Sequence, residues 1–128
     1  MGYENITALV VDDDPYAREC LLIYLKGKGI TVDGVSYADD AIGILDKGDY
    51  HLAICDTNLL EIGDGFRVGE HYRRKYPKES NPERRVLVGM CDDPTSKAAW
   101  IDIGANGFLG KPFKEGDIDK ILEKYFRP

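Results

Sequence analysis

The chain has 128 residues, 43% of them apolar and 31% charged, with a formal net charge of −6. That size suits one domain with a substantial core, spanning 1–128, and the composition excludes a disordered chain. The acidic balance and the lack of a basic stripe argue against direct nucleic-acid binding, and no apolar run reaches membrane-spanning length.

The longest basic stretch, Arg73-Arg74-Lys75, reads as a solvated helix face. The opening segment MGYENITALVV has no charged region followed by a long apolar stretch and a small-residue cleavage site. Three cysteines, Cys20, Cys55 and Cys91, lack metal-ligand spacing and read as reduced thiols, with Cys20 and Cys55 as small core residues. A cytoplasmic chain is expected.

The first apolar run, Ala8-Leu9-Val10-Val11, is short and β-branched, as a strand buried on both faces should be. It runs into Asp12-Asp13-Asp14-Pro15. Asp14 suits a helix N-cap, and Pro15 suits the first helical position, where its missing N–H would have no partner anyway. Ala17, Cys20, Leu21, Tyr24 and Leu25 follow helical spacing to stop signals at Gly27 and Gly29. Ile30-Thr31-Val32 with Val35 forms a weaker second strand. Ala38, Ala41, Ile42 and Leu45 mark a second helix, which Gly48 follows.

Leu52-Ala53-Ile54-Cys55 is a third strand, ending at Asp56. A loop with Gly63 and Gly65 leads into a helix carrying Phe66, Gly69, Tyr72 and Tyr76. Pro77 ends it, and a polar stretch through Pro82 follows. Val86-Leu87-Val88-Gly89-Met90 is the fourth strand. Asp93-Pro94 opens a helix through Ala98, Trp100 and Ile101 to a stop at Gly104. Gly107-Phe108-Leu109-Gly110 is a short fifth strand before Lys111-Pro112. Ile118, Ile121, Leu122 and Tyr125 then give a last helix its apolar stripe, close to the end at Phe126-Arg127-Pro128.

Five strands alternating with five helices predict an α/β fold: a doubly wound, five-stranded parallel sheet with helices on both faces, in the flavodoxin-like order 2-1-3-4-5. Ligands in such sheets bind beyond the carboxyl ends of the strands, where the strand order reverses. Polar residues gather at those ends: Asp12 and Asp13 after the first strand, Asp56 after the third, Cys91 after the fourth and Lys111 after the fifth. Three carboxylates in one place repel unless compensated. A hard divalent cation resolves that, and a lysine beside it suits a phosphate oxygen as a point charge. A carboxylate can also attack phosphorus. The set reads as phosphoryl transfer to an aspartate.

The segments LVVDDDP at 9–15, AICDTN at 53–58, VLVGMC at 86–91 and GANGFLGKPF at 104–113, with Gly65, make the chain resemble the response-regulator receiver domains of two-component signalling. The resemblance covers nearly the whole sequence. It implies that Asp56 is the phosphoacceptor, that Asp12 and Asp13 hold Mg²⁺ (or Mn²⁺), and that the Asn58 backbone carbonyl completes the metal site together with Asp56. It implies further that Lys111 contacts the phosphoryl group, that the Lys111–Pro112 bond is cis, and that Phe108 is the aromatic whose rotamer reports the active state. The partners implied are a sensor histidine kinase or phosphotransfer protein, a downstream protein or output domain, and a second copy in a homodimer. In the family the surface of the fourth helix, fifth strand and fifth helix meets partners, and Trp100 falls near it.

Three departures stand out. Cys91 takes the place where the family usually has Thr or Ser, so the donor there is a weak thiol. An alignment one residue earlier would put Met90 there and remove the donor, but the spacing from Cys91-Asp92-Asp93-Pro94 to Gly104 favours Cys91. Leu60 replaces a usual proline, and the segment from Asp56 to Gly65 is one residue longer than the common form. His51 and His71 lie in no activating motif and read as surface or packing residues.

Two rival readings accompany the switch. A phosphatase of the haloacid dehalogenase type would use Asp12-x-Asp14, but Tyr16 stands where Thr or Val is usual. A pseudo-receiver would keep the fold and signal without phosphate. The sequence favours a switch that catalyses only its own phosphorylation and dephosphorylation, not an enzyme acting on a separate substrate.

Overall fold

The computed structural model describes residues 2–78 and 84–126. The end of the polar stretch at Pro82 and the terminal Arg127-Pro128 lie outside the described residues. Strands and helices alternate as β1 (Thr7–Val11), α1 (Pro15–Gly27), β2 (Thr31–Val35), α2 (Ala38–Lys47), β3 (Leu52–Asp56), α3 (Asp64–Lys75), β4 (Val86–Cys91), α4 (Ser96–Ile103), β5 (Gly107–Gly110) and α5 (Glu115–Phe126). Every strand pair is parallel, and the order is β2-β1-β3-β4-β5. The doubly wound, flavodoxin-like sheet is therefore present as expected.

Strands β1, β3 and β4 occupy the centre, which is why they read as continuous apolar runs; all residues of β3 and β4 are buried. Alternate side chains feed two cores. Val10, Ile54, Val88 and Met90 pack with Leu21, Leu25, Ile118 and Leu122 of α1 and α5. Leu9, Val11, Ala53, Cys55 and Leu87 pack with Ala41, Leu45, Val68, Tyr72 and Trp100 of α2, α3 and α4.

Local signals set the helix ends. Asp14 caps α1, its side chain accepting from the N–H groups of Tyr16 and Ala17 at 3.0 and 3.5 Å. Gly104 ends α4 in the left-handed region at φ 109°, where a side chain would be strained. Helix α4 begins later than the Asp93-Pro94 signal suggests. Asp93 Oδ1 instead holds the N–H and hydroxyl of Thr95 at 3.0 and 2.8 Å in a turn, and the helix starts at Ser96.

Several expectations about burial need correction. Cys20 is exposed, because it sits on the outer side of α1 while Leu21 and Leu25 face the sheet. Arg73 is not on a solvated face. Its guanidinium is buried and donates to the carbonyls of Gly104, Tyr76 and Arg85 and to Asn106 Oδ1, tying the end of α3 to β4 and the α4–β5 turn. Trp100 is fully buried between α3 and β4. His51 accepts from the Thr7 N–H, and His71 meets Asp46, as packing and surface residues do.

Candidate functional site

The strand order reverses between β1 and β3, so the ends of these two strands bound the crevice. Asp12 follows β1 and is fully buried, whereas Asp13 beside it is exposed. Asp56 ends β3 with 8% of its surface exposed. One oxygen from each of Asp12, Asp13 and Asp56 lies within 4.8 Å of the others. Lys111, beyond β5, reaches across: its Nζ lies 3.0 Å from Asp12 Oδ2 and 3.3 Å from Asp56 Oδ2. Residues nearly one hundred positions apart thus meet at one rim.

Each carboxylate is held by the backbone as well. Asp12 Oδ1 accepts from the Asp14 N–H at 3.0 Å, and Asp56 Oδ1 accepts from the Thr57 N–H at 3.1 Å. Arg18 on α1 donates to the Asp12 carbonyl at 2.8 Å and to Ser36 Oγ at 2.9 Å, locking the β1 end to the turn after β2. Sequence patterning does not single out Arg18; its position one turn after Asp14 on the first helix is the available signal.

The electrostatics follow from this crowding. Burial, opposed by Lys111 and reinforced by Asp12, pushes the Asp56 carboxyl from 3.8 up to about 6. Burial works against the Lys111 ammonium, but the Asp12 hydrogen bond and the nearby Asp56 charge outweigh it, so its pKa is raised. One lysine cannot balance three carboxylates. Hard oxygen donors grouped this closely, with the central one held against ionisation, suit a divalent cation of the Mg²⁺ type.

The loop after Asp56 has a definite shape. Asn58 Oδ1 accepts from the Gly63 N–H at 2.8 Å, which ties the side chain into the loop. Gly63 turns the chain into α3 at φ 81°. Gly65 then passes against the strand end: its N–H donates to the Thr57 carbonyl at 2.8 Å, and a Cβ there would lie 1.8 Å from the Asp56 carbonyl oxygen. Leu59 is buried, while Leu60 and Ile62 stand out at 74% and 94% exposure. This segment therefore presents two apolar side chains to solvent.

At the end of β4 the register sets Met90 opposite Asp56, with Cys91 one residue beyond. Met90 is buried in the α1–α5 core. The Cys91 thiol accepts from the Asp93 N–H at 3.4 Å and lies 3.8 Å from Asp92 Oδ1, so its neighbours belong to the following turn. Phe108 is half-buried against the α2–α3–α4 core. The Lys111–Pro112 bond is cis. The hydroxyl adjacent to Asp56 is that of Thr57, which donates to the Met90 carbonyl at 2.7 Å and accepts from Trp100 Nε1 at 2.8 Å. Nothing in the sequence singles out Thr57, because a threonine after a strand is an ordinary turn residue.

The sheet order, with an acidic rim answered by one lysine beyond its carboxyl ends, defines a doubly wound α/β domain of the flavodoxin-like class. The family model of the response regulator receiver domain matches residues 8–123, and the chain belongs to that family. It is 33% identical over 120 residues to the transcriptional regulatory protein TcrA of Mycobacterium tuberculosis, covering 94% of this chain and 44% of TcrA. The chain thus spans less than half the length of that relative.

Among solved structures it superposes on the chemotaxis protein CheY4 of Vibrio cholerae with a TM-score of 0.80 at 22% identity, covering 94% and 98% of the two chains. It also superposes on the receiver domain of the sensor histidine kinase PA1611 of Pseudomonas aeruginosa with a TM-score of 0.77 at 21% identity, covering 94% and 96%. That structure has a magnesium ion coordinated in its active site cleft.

Proposed function

We propose that this receiver domain is a phosphorylation switch that takes a phosphoryl group from a phosphohistidine onto Asp56 in a Mg²⁺-dependent reaction. The observation that carries the reading is the meeting of Asp12, Asp13 and Asp56 within 4.8 Å, with Lys111 bridging Asp12 and Asp56. An ionised Asp56 oxygen attacks phosphorus. The phosphorus–nitrogen bond breaks, and its electron pair returns to the imidazole of the donor. Lys111 is placed to shift from the carboxylates to a phosphoryl oxygen, so positive charge is in position as the new group arrives. Asp12 and Asp13 would hold Mg²⁺ (or Mn²⁺) together with Asp56 and the Asn58 carbonyl. Bound metal supplies charge that the carboxylates and the phosphoryl oxygens share.

Water later cleaves the acyl phosphate and regenerates Asp56. The chain is therefore not an enzyme with a separate substrate; it catalyses only its own phosphorylation and dephosphorylation, in the cytoplasm. The donor is a sensor histidine kinase or a phosphotransfer protein. Its docking is supported by a groove of about 510 Å³ beside Lys111, lined by Tyr16, Leu21, Pro112 and Phe113, and by the exposed Leu60 and Ile62. The phosphoryl group shifts a two-state equilibrium that a downstream protein, an output domain or a homodimer partner reads. Among the described residues no helix is long and apolar enough to cross a membrane.

Intact-mass measurement after incubation with acetyl phosphate tests the reading. Wild type should gain one phosphoryl group only with Mg²⁺, and Asp56→Asn should gain none. No gain in the folded wild type would favour a phosphate-independent interaction module instead.

A further inference from the structure

Helix α4 is short, spanning Ser96–Ile103, and Thr95 at its start makes no side-chain capping bond. Trp100 is its one fully buried residue. Two glycines clear the space for the indole ring. A Cβ on Gly89 of β4 would lie 2.3 Å from the ring, and one on Gly69 of α3 would lie 2.7 Å from it. The ring is further held by Phe66, with centroids 5.0 Å apart. Trp100 is therefore the deepest anchor of helix α4, with Ile103 packed against the same core.

The polar end of that side chain leads toward the phosphoacceptor. Trp100 Nε1 donates to Thr57 Oγ1 at 2.8 Å, and Thr57 Oγ1 donates to the Met90 carbonyl at 2.7 Å. The Thr57 N–H is shared between that same carbonyl, at 2.8 Å, and Asp56 Oδ1, at 3.1 Å. Asp56 Oδ1, the Thr57 N–H, the Met90 carbonyl, the Thr57 hydroxyl and the indole N–H form one chain of hydrogen bonds. Met90 and Cys91 offer no hydroxyl at the end of β4, whereas Thr57, next to Asp56 in the chain, does.

We propose that the Thr57 hydroxyl and the Trp100 indole link the phosphorylation state of Asp56 to the position of helix α4. The inference rests on the phosphoacceptor reading above. Converting the Asp56 carboxylate to an acyl phosphate moves negative charge off the carboxylate and weakens Oδ1 as an acceptor. The Thr57 N–H then turns more fully to the Met90 carbonyl, which already takes the Thr57 hydroxyl. The indole N–H has to follow, because leaving it unpaired in the core costs the full desolvation of that group. Since α4 is anchored by this ring, the helix moves with it.

The chain contains a single tryptophan, so the indole N–H gives one resonance in a ¹H–¹⁵N spectrum. Wild type, Thr57→Val, Thr57→Ser and Trp100→Phe are compared with and without acetyl phosphate and Mg²⁺, with intact mass recorded on the same samples. In phosphorylated wild type the indole resonance and the amides of 96–103 should shift. The α4 shifts should be lost in phosphorylated Thr57→Val, retained in Thr57→Ser, and lost again in Trp100→Phe, which removes the same bond from the other side. A dispersed spectrum reports that each variant is folded. Wild-type α4 shifts in phosphorylated Thr57→Val or Trp100→Phe overturn the link and leave the phosphoacceptor reading standing. Thr57→Ser behaving like Thr57→Val also overturns it. Absence of any mass gain in wild type overturns both.

Discussion

At the scale of single residues, Asp56 has its charge opposed by its own surroundings. Its carboxyl is raised to about 6 by burial and the Asp12 charge, net of Lys111. Between pH 3.8 and about 6 the folded chain holds a proton at Asp56 that the unfolded chain releases. The stability this group contributes is therefore greatest at the acid end and falls as pH rises to about 6. In metal-free protein at pH 7, Asp56→Asn should raise the unfolding free energy by about 2 kcal/mol. Urea unfolding of both proteins from pH 4 to 8 should show the difference growing up to about pH 6 and then flattening. Asp13→Ala should weaken Mg²⁺ binding about tenfold or more, because it removes an exposed carboxylate free to turn toward a cation. Calorimetric titration with MgCl₂ measures it, and an unchanged affinity would count against the site.

At the scale of elements, the loop between β3 and α3 depends on Gly65. A side chain there meets the Asp56 carbonyl oxygen at 1.8 Å, which neighbouring backbone cannot avoid without moving Asp56. Gly65→Ala should cost about 3 kcal/mol in thermal or urea unfolding and slow labelling of Asp56. Arg73 plays a comparable part for α3. Its guanidinium satisfies three carbonyls and Asn106 Oδ1, so Arg73→Leu should destabilise the fold by about 3 kcal/mol, read in the same unfolding assay. Here legibility from sequence divides sharply. The Asp14-Pro15 start of α1 and the Gly104 stop of α4 act within a few residues, and their chemistry shows in the residue types. The burial of Arg73 and the exposure of Cys20 depend on which side of a helix meets a neighbour, and a basic run or a helical spacing does not carry that. Met90, rather than Cys91, lies opposite Asp56 because the β3–β4 register decides it, and a one-residue shift in a strand leaves the local sequence signal unchanged.

At the scale of the whole molecule, the acidic rim should make the domain's stability depend on divalent cations. Anything that binds the folded chain in preference to the unfolded one stabilises it by mass action. Adding MgCl₂ should raise the melting temperature by several degrees, since a gain of about 1–2 kcal/mol shifts a domain of this size by roughly that amount. EDTA should reverse the rise, and Asp13→Ala should blunt it. A melting temperature indifferent to Mg²⁺ would mean the three carboxylates do not form a working metal site.

Sequence alone determined the alternation of strands and helices, the central strands and the acidic residues with Lys111 at strand ends. Each of these is written in hydrophobic period or in residue type at an element boundary. The receiver family was legible for the same reason: Asp12, Asp13, Asp56 and Lys111 stand at strand ends in the order a doubly wound sheet brings together. Tertiary structure alone decided how β4 meets β3, where Arg18 and Arg73 send their guanidinium groups, and that Trp100 reaches Thr57 through space left by Gly69 and Gly89. These are long-range contacts between side chains whose local sequences are compatible with many partners, so packing has to choose among them.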